Sequence, residues 1–179
     1  VKELVKAFQL AKEEGFSHCV YLDCTGIELK EEVRSMCAAG LCGQYGRNWS
    51  CPPVCGSLDA CRAQTARYRR GILVQTVGDL EDNLDYEGMK AAEERHKTAF
   101  RKLAERLRAY WPGMLALGAG CCTVCNTCTC PDEECRFPKK RLSSMEAYGI
   151  VVSELCRKNH MDYYYGPDKV SYTSCYLLD

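Results

Sequence analysis

Apolar and polar residues recur along this chain in two periods, and each period predicts a kind of element. Residues 2–14 place Leu4, Ala7, Phe8 and Ala11 three and four positions apart among charges, which predicts an amphipathic helix closed by Gly15. The apolar run 18–22 predicts a short buried strand. A polar helix is expected over 28–36. Another is expected over 58–70, capped by Ser57 or Asp59 and closed by Gly71. Residues 72–77, ILVQTV, are β-branched and bounded by glycines, and they form the clearest strand. Between 87 and 110, Met89, Ala92, His96, Ala99, Leu103, Leu107 and Tyr110 recur at helical steps until Pro112-Gly113 stops them. Residues 114–119 predict a strand, and 143–160 predict helix with a joint at Gly149. The tail, DYYYGPDKVSYTSCYLLD, carries two strand-like runs around Gly-Pro-Asp, as a terminal hairpin or an edge strand would.

Strands alternating with helices imply an α/β fold: one domain over residues 1–179, with a small mixed sheet flanked by helices. Strand 72–77, helix 87–110 and strand 114–119 are in the order of a right-handed βαβ unit. Two stretches fit neither period. Residues 37–61 and 121–138 are rich in Cys, Gly and Pro and are expected as loops hung from element ends, where binding sites are commonly mounted.

Composition narrows the function classes. Lys plus Arg balance Asp plus Glu at 24 each, which removes the electrostatic case for nucleic acid or an anionic membrane as partner. No apolar run approaches the ~20 residues that span a bilayer. The N-terminal stretch has spaced charges and no signal-peptide core, so a cytoplasmic protein is expected. There is no GxGxxG, no P-loop and no CxxCH.

Cysteine changes the picture most. Fifteen are present, five of them between Cys37 and Cys61 and six between Cys121 and Cys135. An odd, clustered set without an export signal argues against a disulfide scaffold and for metal or redox chemistry.

Cys122-x2-Cys125-x2-Cys128 is the spacing with which ferredoxins hold a [4Fe–4S] cluster. For the fourth ligand Cys135 is favoured, because the PDEE loop lets the chain turn. Cys130, only two residues past Cys128, is the alternative. Zinc is the competing reading, but a four-cysteine zinc site usually uses two separated CxxC pairs. Cys121 is expected as a small apolar neighbour.

The first set, Cys37-x4-Cys42-x8-Cys51-Pro-Pro-x-Cys55, is looser. Its fourth ligand is Cys55, Cys24 or Cys61, or there is none, in which case one iron would be open to a substrate. Cys-Pro-Pro stiffens the loop and removes two N–H donors. Tyr45 and Trp49 are expected either to shield this site or simply to pack over the loop, and Arg47 to balance its charge. The three histidines, 18, 96 and 160, lie away from both sets. His96 is expected on the helix surface or half-buried, and His160 at a helix end. Asn48-Trp49-Ser50 matches a glycosylation sequon that has no meaning without export.

CGQYGRNWSCPP (42–53), AGCCTVCNTC (119–128) and CRFPKKRLSSMEAYGIVV (135–152) together resemble the DUF2284 family of predicted metal-binding proteins of anaerobic bacteria and archaea. The resemblance covers roughly 30–175. It implies a small cytosolic Fe–S protein with ligands at Cys37, Cys42 and Cys51, and at Cys122, Cys125, Cys128 and Cys135. It also draws attention to Arg136, Pro138, Arg141, Ser144, Met145 and Glu146. Glu146 is expected to cap a helix or to pair with Arg136 or Arg141, forming either local scaffold or a polar wall for an anion.

The resulting expectation is a protein with two [4Fe–4S] clusters that transfers electrons or supports a partner enzyme. Its partner would be a redox protein or a small-molecule substrate. An enzyme with an open-coordinated cluster and a zinc-stabilised binding module are the alternatives.

Overall fold

A computed structural model describes residues 2–179. The elements run α1 (Lys2–Glu13), β1 (His18–Asp23), a 3-10 turn (Cys24–Gly26), α2 (Glu31–Ala38), α3 (Leu58–Thr65), β2 (Arg70–Asp79), α4 (Tyr86–Arg108), β3 (Leu115–Leu117), a second 3-10 turn (Glu146–Tyr148), α5 (Val152–Lys158) and β4 (Lys169–Leu177). The caps follow the sequence. Ser57 accepts the Ala60 N–H at 3.1 Å, and Asp85 accepts the Gly88 N–H at 2.8 Å. No helix among the described residues is long and apolar enough to cross a membrane.

The four strands form one sheet in the order β1-β2-β4-β3. The α/β class holds, but every ladder is antiparallel where a mixed sheet is expected. Parallel pairing is confined to one bridge, Gly118 with Ser144. β2 and β3 do run the same way, as the βαβ reading requires, since both oppose β4. They are not neighbours, because β4 lies between them. The tail is therefore neither a hairpin nor an edge. A strand in the middle of a sheet must bury both faces, and β4 is buried throughout from Thr173 to Leu177. β1 is an edge strand instead, with Leu22 its one fully buried residue.

Side chains leave a strand alternately up and down, so two cores form. Ile72, Val74, Ala116 and Tyr176 pack with Leu4, Ala7 and Leu10 of α1 and Phe100, Leu103 and Leu107 of α4. Leu73, Leu117, Cys175 and Leu177 pack on the other face with Cys61 of α3, Leu155 and Cys156 of α5, and Met145. Each fully buried Leu or Ile contributes about 1.5–3 kcal/mol. Arg106 ties α4 to α1 through Glu13 and through Glu14 at 2.6 Å.

His96 is fully buried, not at the helix surface. Its Nδ1 lies 2.9 Å from Thr76 Oγ1 and its Nε2 lies 2.7 Å from Ser174 Oγ, so it fastens α4 to both central strands. Burial pushes its pKa down to about 3, which keeps the ring neutral. His160 follows α5 with a positive φ of 57°, at a helix end as expected.

Both cysteine-rich segments leave this body at pinned necks. Gly118 N–H donates to Ser143 O at 2.8 Å and Met145 N–H donates to Gly118 O at 3.0 Å, which closes the base of the second loop. Arg34 holds the first loop by donating to Gly56 O at 2.7 Å and Ala147 O at 2.8 Å.

Candidate metal centre

The two loops are laced to each other by Asn48, Trp49 and Ser50. Asn48 Oδ1 accepts the Ser50 N–H (3.0 Å) and the Ser50 hydroxyl (2.8 Å), while its Nδ2 donates to Cys122 O at 3.1 Å. Ser50 Oγ in turn accepts the Cys122 N–H at 3.0 Å. Trp49 Nε1 donates to Glu133 O at 3.0 Å. Asn48 and Ser50 are buried, so these bonds satisfy groups that water does not reach. The tripeptide read as an idle sequon is thus the clasp of the site. Its sequence signal is the Asn-x-Ser spacing itself, which favours an Asx turn.

All fifteen cysteines are unpaired. Cys24, Cys61, Cys156 and Cys175 belong to the core. Most loop cysteines face one of two cavities, and Cys121 and Cys122 also share a small cleft against Lys97, Phe100 and Leu142. Cys122, Cys125, Cys128 and Cys135 line one, a narrow cleft of about 20 Å³ walled by Trp49, Phe137, Arg136 and Arg141. Cys130 is not in its lining; its thiol donates to Gly46 O at 3.5 Å. Cys37, Cys42 and Cys51 line the other, of about 400 Å³, together with Cys121, Tyr45, Lys97 and Glu146.

Cys55 stands apart from this second cavity. Its thiol donates to Ala147 O at 3.9 Å and receives Arg34 Nη1 at 4.0 Å, a guanidinium it shares with Cys61. Of the aromatic pair expected over the first loop, Tyr45 does wall the first cysteine set, but Trp49 faces the other. Arg47 is exposed and lines neither.

Glu146 does not join Arg136 and Arg141, which wall the other cavity. It lies in the larger one beside Ser144, and its Oε2 is buried without a hydrogen-bond partner. Burial raises its pKa, against hydrogen bonds from the backbone and Ser144. Across the same cavity Lys97, an almost buried cation, pairs with Glu93 at 2.5 Å. Gly120 lies beside this pair with φ +68°, and a Cβ there would meet Lys97 Nζ at 3.4 Å.

Without a cation the buried thiols stay protonated. Burial pushes Cys51 up to about 12, and it also raises Cys37 and Cys121 above the ordinary thiol value. A metal that binds them must displace those protons, so occupancy depends on pH. No three His, Cys, Asp or Glu side chains among the described residues close on a single ion; the cysteines instead line space.

The donor chemistry fits a thiolate-bound cofactor, and a family model decides the kinship. The model for the predicted metal-binding protein family DUF2284 matches residues 20–178. The chain belongs to that family. No curated protein and no solved structure matches it. The family is one of predicted metal-binding proteins, and this DUF2284 protein carries its cysteines chiefly in the two loops that the Asn48–Ser50 clasp joins.

Proposed function

We propose that this DUF2284 protein carries two [4Fe–4S] clusters and moves electrons to or from a redox partner protein in the cytoplasm. When bound, such clusters supply one-electron redox chemistry over a window of about −700 to +450 mV, set by ligation, hydrogen bonding and solvent access. The observation that supports it is the division of the loop cysteines between two cavities. Cys122, Cys125, Cys128 and Cys135 would hold one cluster. Cys37, Cys42 and Cys51 would hold the other with a further thiol.

The chain's own residues do the rest. Trp49 and Phe137 keep water from the first of these sites, and Tyr45 covers the edge of the second. Lys97 on one side, and Arg136 and Arg141 on the other, offset the negative charge of the thiolates. The Asn48–Ser50 clasp fixes one loop against the other, so little reorganisation would accompany a change of redox state.

A second reading has one observation in its favour. The larger cavity has room for a small molecule and presents Glu146 with an unpartnered oxygen. If the cluster at Cys37, Cys42 and Cys51 had only those three thiolates, its open iron would face that space and could bind a substrate.

The test is anaerobic purification followed by iron, acid-labile sulfide and zinc determination, with visible spectra before and after dithionite. About eight iron and eight sulfide per chain are expected. A colourless protein with zinc and no sulfide would make the loops a structural clasp and overturn the redox reading.

A further inference from the structure

The fourth ligand of the first cysteine set decides between those two readings, and the geometry of the larger cavity bears on it directly. Four thiols line that space: Cys37 from the last turn of α2, Cys42 and Cys51 from the first loop, and Cys121 from the neck of the second. Cys55, the nearest candidate in sequence, does not line that space; its thiol lies behind the wall, 3.9 Å from Ala147 O and 4.0 Å from Arg34 Nη1. Cys24 and Cys61 are core residues.

Cys121 enters that space beside Gly120 and the Lys97–Glu93 pair, on the wall that also carries Cys51 and Pro52.

We infer that Cys121 is the fourth protein ligand of the first site, so that the consecutive residues Cys121 and Cys122 serve one centre each. The inference rests on the two-centre reading above and completes it. With four thiolates the first centre has no open iron, which favours electron transfer over substrate binding. It also makes one peptide unit, about 3.8 Å between Cα atoms, the covalent link between the centres. Gly120 lets the chain turn sharply just before this pair, and the Asn48–Ser50 clasp grips the backbone of Cys122 from both sides. The neck of the second loop is held rigid at the point where the two centres meet.

The experiment compares Cys121→Ala with Cys37→Ala and Cys55→Ala in the full chain, each purified without oxygen and assayed for iron, sulfide and zinc. Electron paramagnetic resonance of the reduced proteins is recorded alongside. Cys121→Ala is expected to match Cys37→Ala: iron and sulfide fall by about half, and the broadened spectrum of two interacting spins becomes that of one isolated centre. Cys55→Ala is expected to match the parent.

A full metal complement in Cys121→Ala would overturn the inference, whether Cys55→Ala loses iron or not. So would loss of all metal in Cys121→Ala where Cys37→Ala loses half. If the parent holds zinc without sulfide, the cluster reading fails. The same comparison then still judges the ligand: one zinc lost in both Cys121→Ala and Cys37→Ala upholds it, and a full zinc complement in Cys121→Ala sinks it.

Discussion

His96 shows how much one buried residue contributes. Folding lowers its pKa from 6.5 to about 3 because the charged ring cannot be solvated between α4 and the sheet. Below pH 6.5 the unfolded chain takes up a proton that the folded chain refuses. The stability that neutral His96 confers is therefore complete above that pH. It declines as pH falls toward 3, by about 1.4 kcal/mol per unit. Replacing it with Gln removes the titration. In anaerobic urea titrations the stability gap between parent and His96→Gln should narrow by that amount for each unit below pH 6.5. A gap independent of pH would show that the ring is not buried neutral. The sequence placed His96 correctly on the apolar stripe of its helix, among Ala92, Ala99 and Leu103. It did not reveal the burial, because the hydroxyls that satisfy the ring belong to Thr76 and Ser174, which are remote in sequence and joined only by strand pairing.

At the scale of elements, periodicity located nearly every helix and strand but misjudged glycine. Gly71 and Gly78 read as the punctuation around a strand over 72–77, yet both lie inside β2. Each is there because something else needs the space of a side chain. A Cβ on Gly71 would lie 2.2 Å from Tyr176 O, and one on Gly78 would lie 2.7 Å from Ala92 Cβ. Gly78 thus sets how closely α4 approaches the sheet. Gly78→Ala should push the helix outward and cost about 1–3 kcal/mol in urea denaturation. Gly26→Ala, where a Cβ meets nothing within 4 Å, should stay within about 0.5 kcal/mol. Equal effects at the two sites would mean that α4 yields freely. The tail was misread for a related reason. Alternation in KVSYTSCYL shows a strand, but only long-range topology puts that strand in the centre of the sheet. The same holds for the loops: spacing grouped Cys122, Cys125, Cys128 and Cys135, whereas the place of Cys121 on the wall of the larger cavity depends on contacts with α4 and the first loop that are remote in sequence.

Taken whole, the molecule is a self-sufficient body carrying a dependent one. Both apolar cores are built from the sheet and its helices, and none of the cysteines proposed here as ligands belongs to either. The loops have no comparable core: beyond the clasp and the pinned necks, turns and exposed polar residues make up most of 39–56 and 119–142. Removing the metal should therefore melt the loops without melting the sheet. After anaerobic chelation, hydrogen exchange should quicken across 39–56 and 119–142 while β2, β4 and α4 keep their protection and far-UV dichroism changes little. The bonds from Gly118 to Ser143, from Met145 to Gly118 and from Arg34 to Gly56 belong to the body and should mark the boundary. Loss of protection throughout would mean instead that metal binding and global folding are one transition. The body would then be too weak to stand alone, and the division between scaffold and redox loops would fail with it.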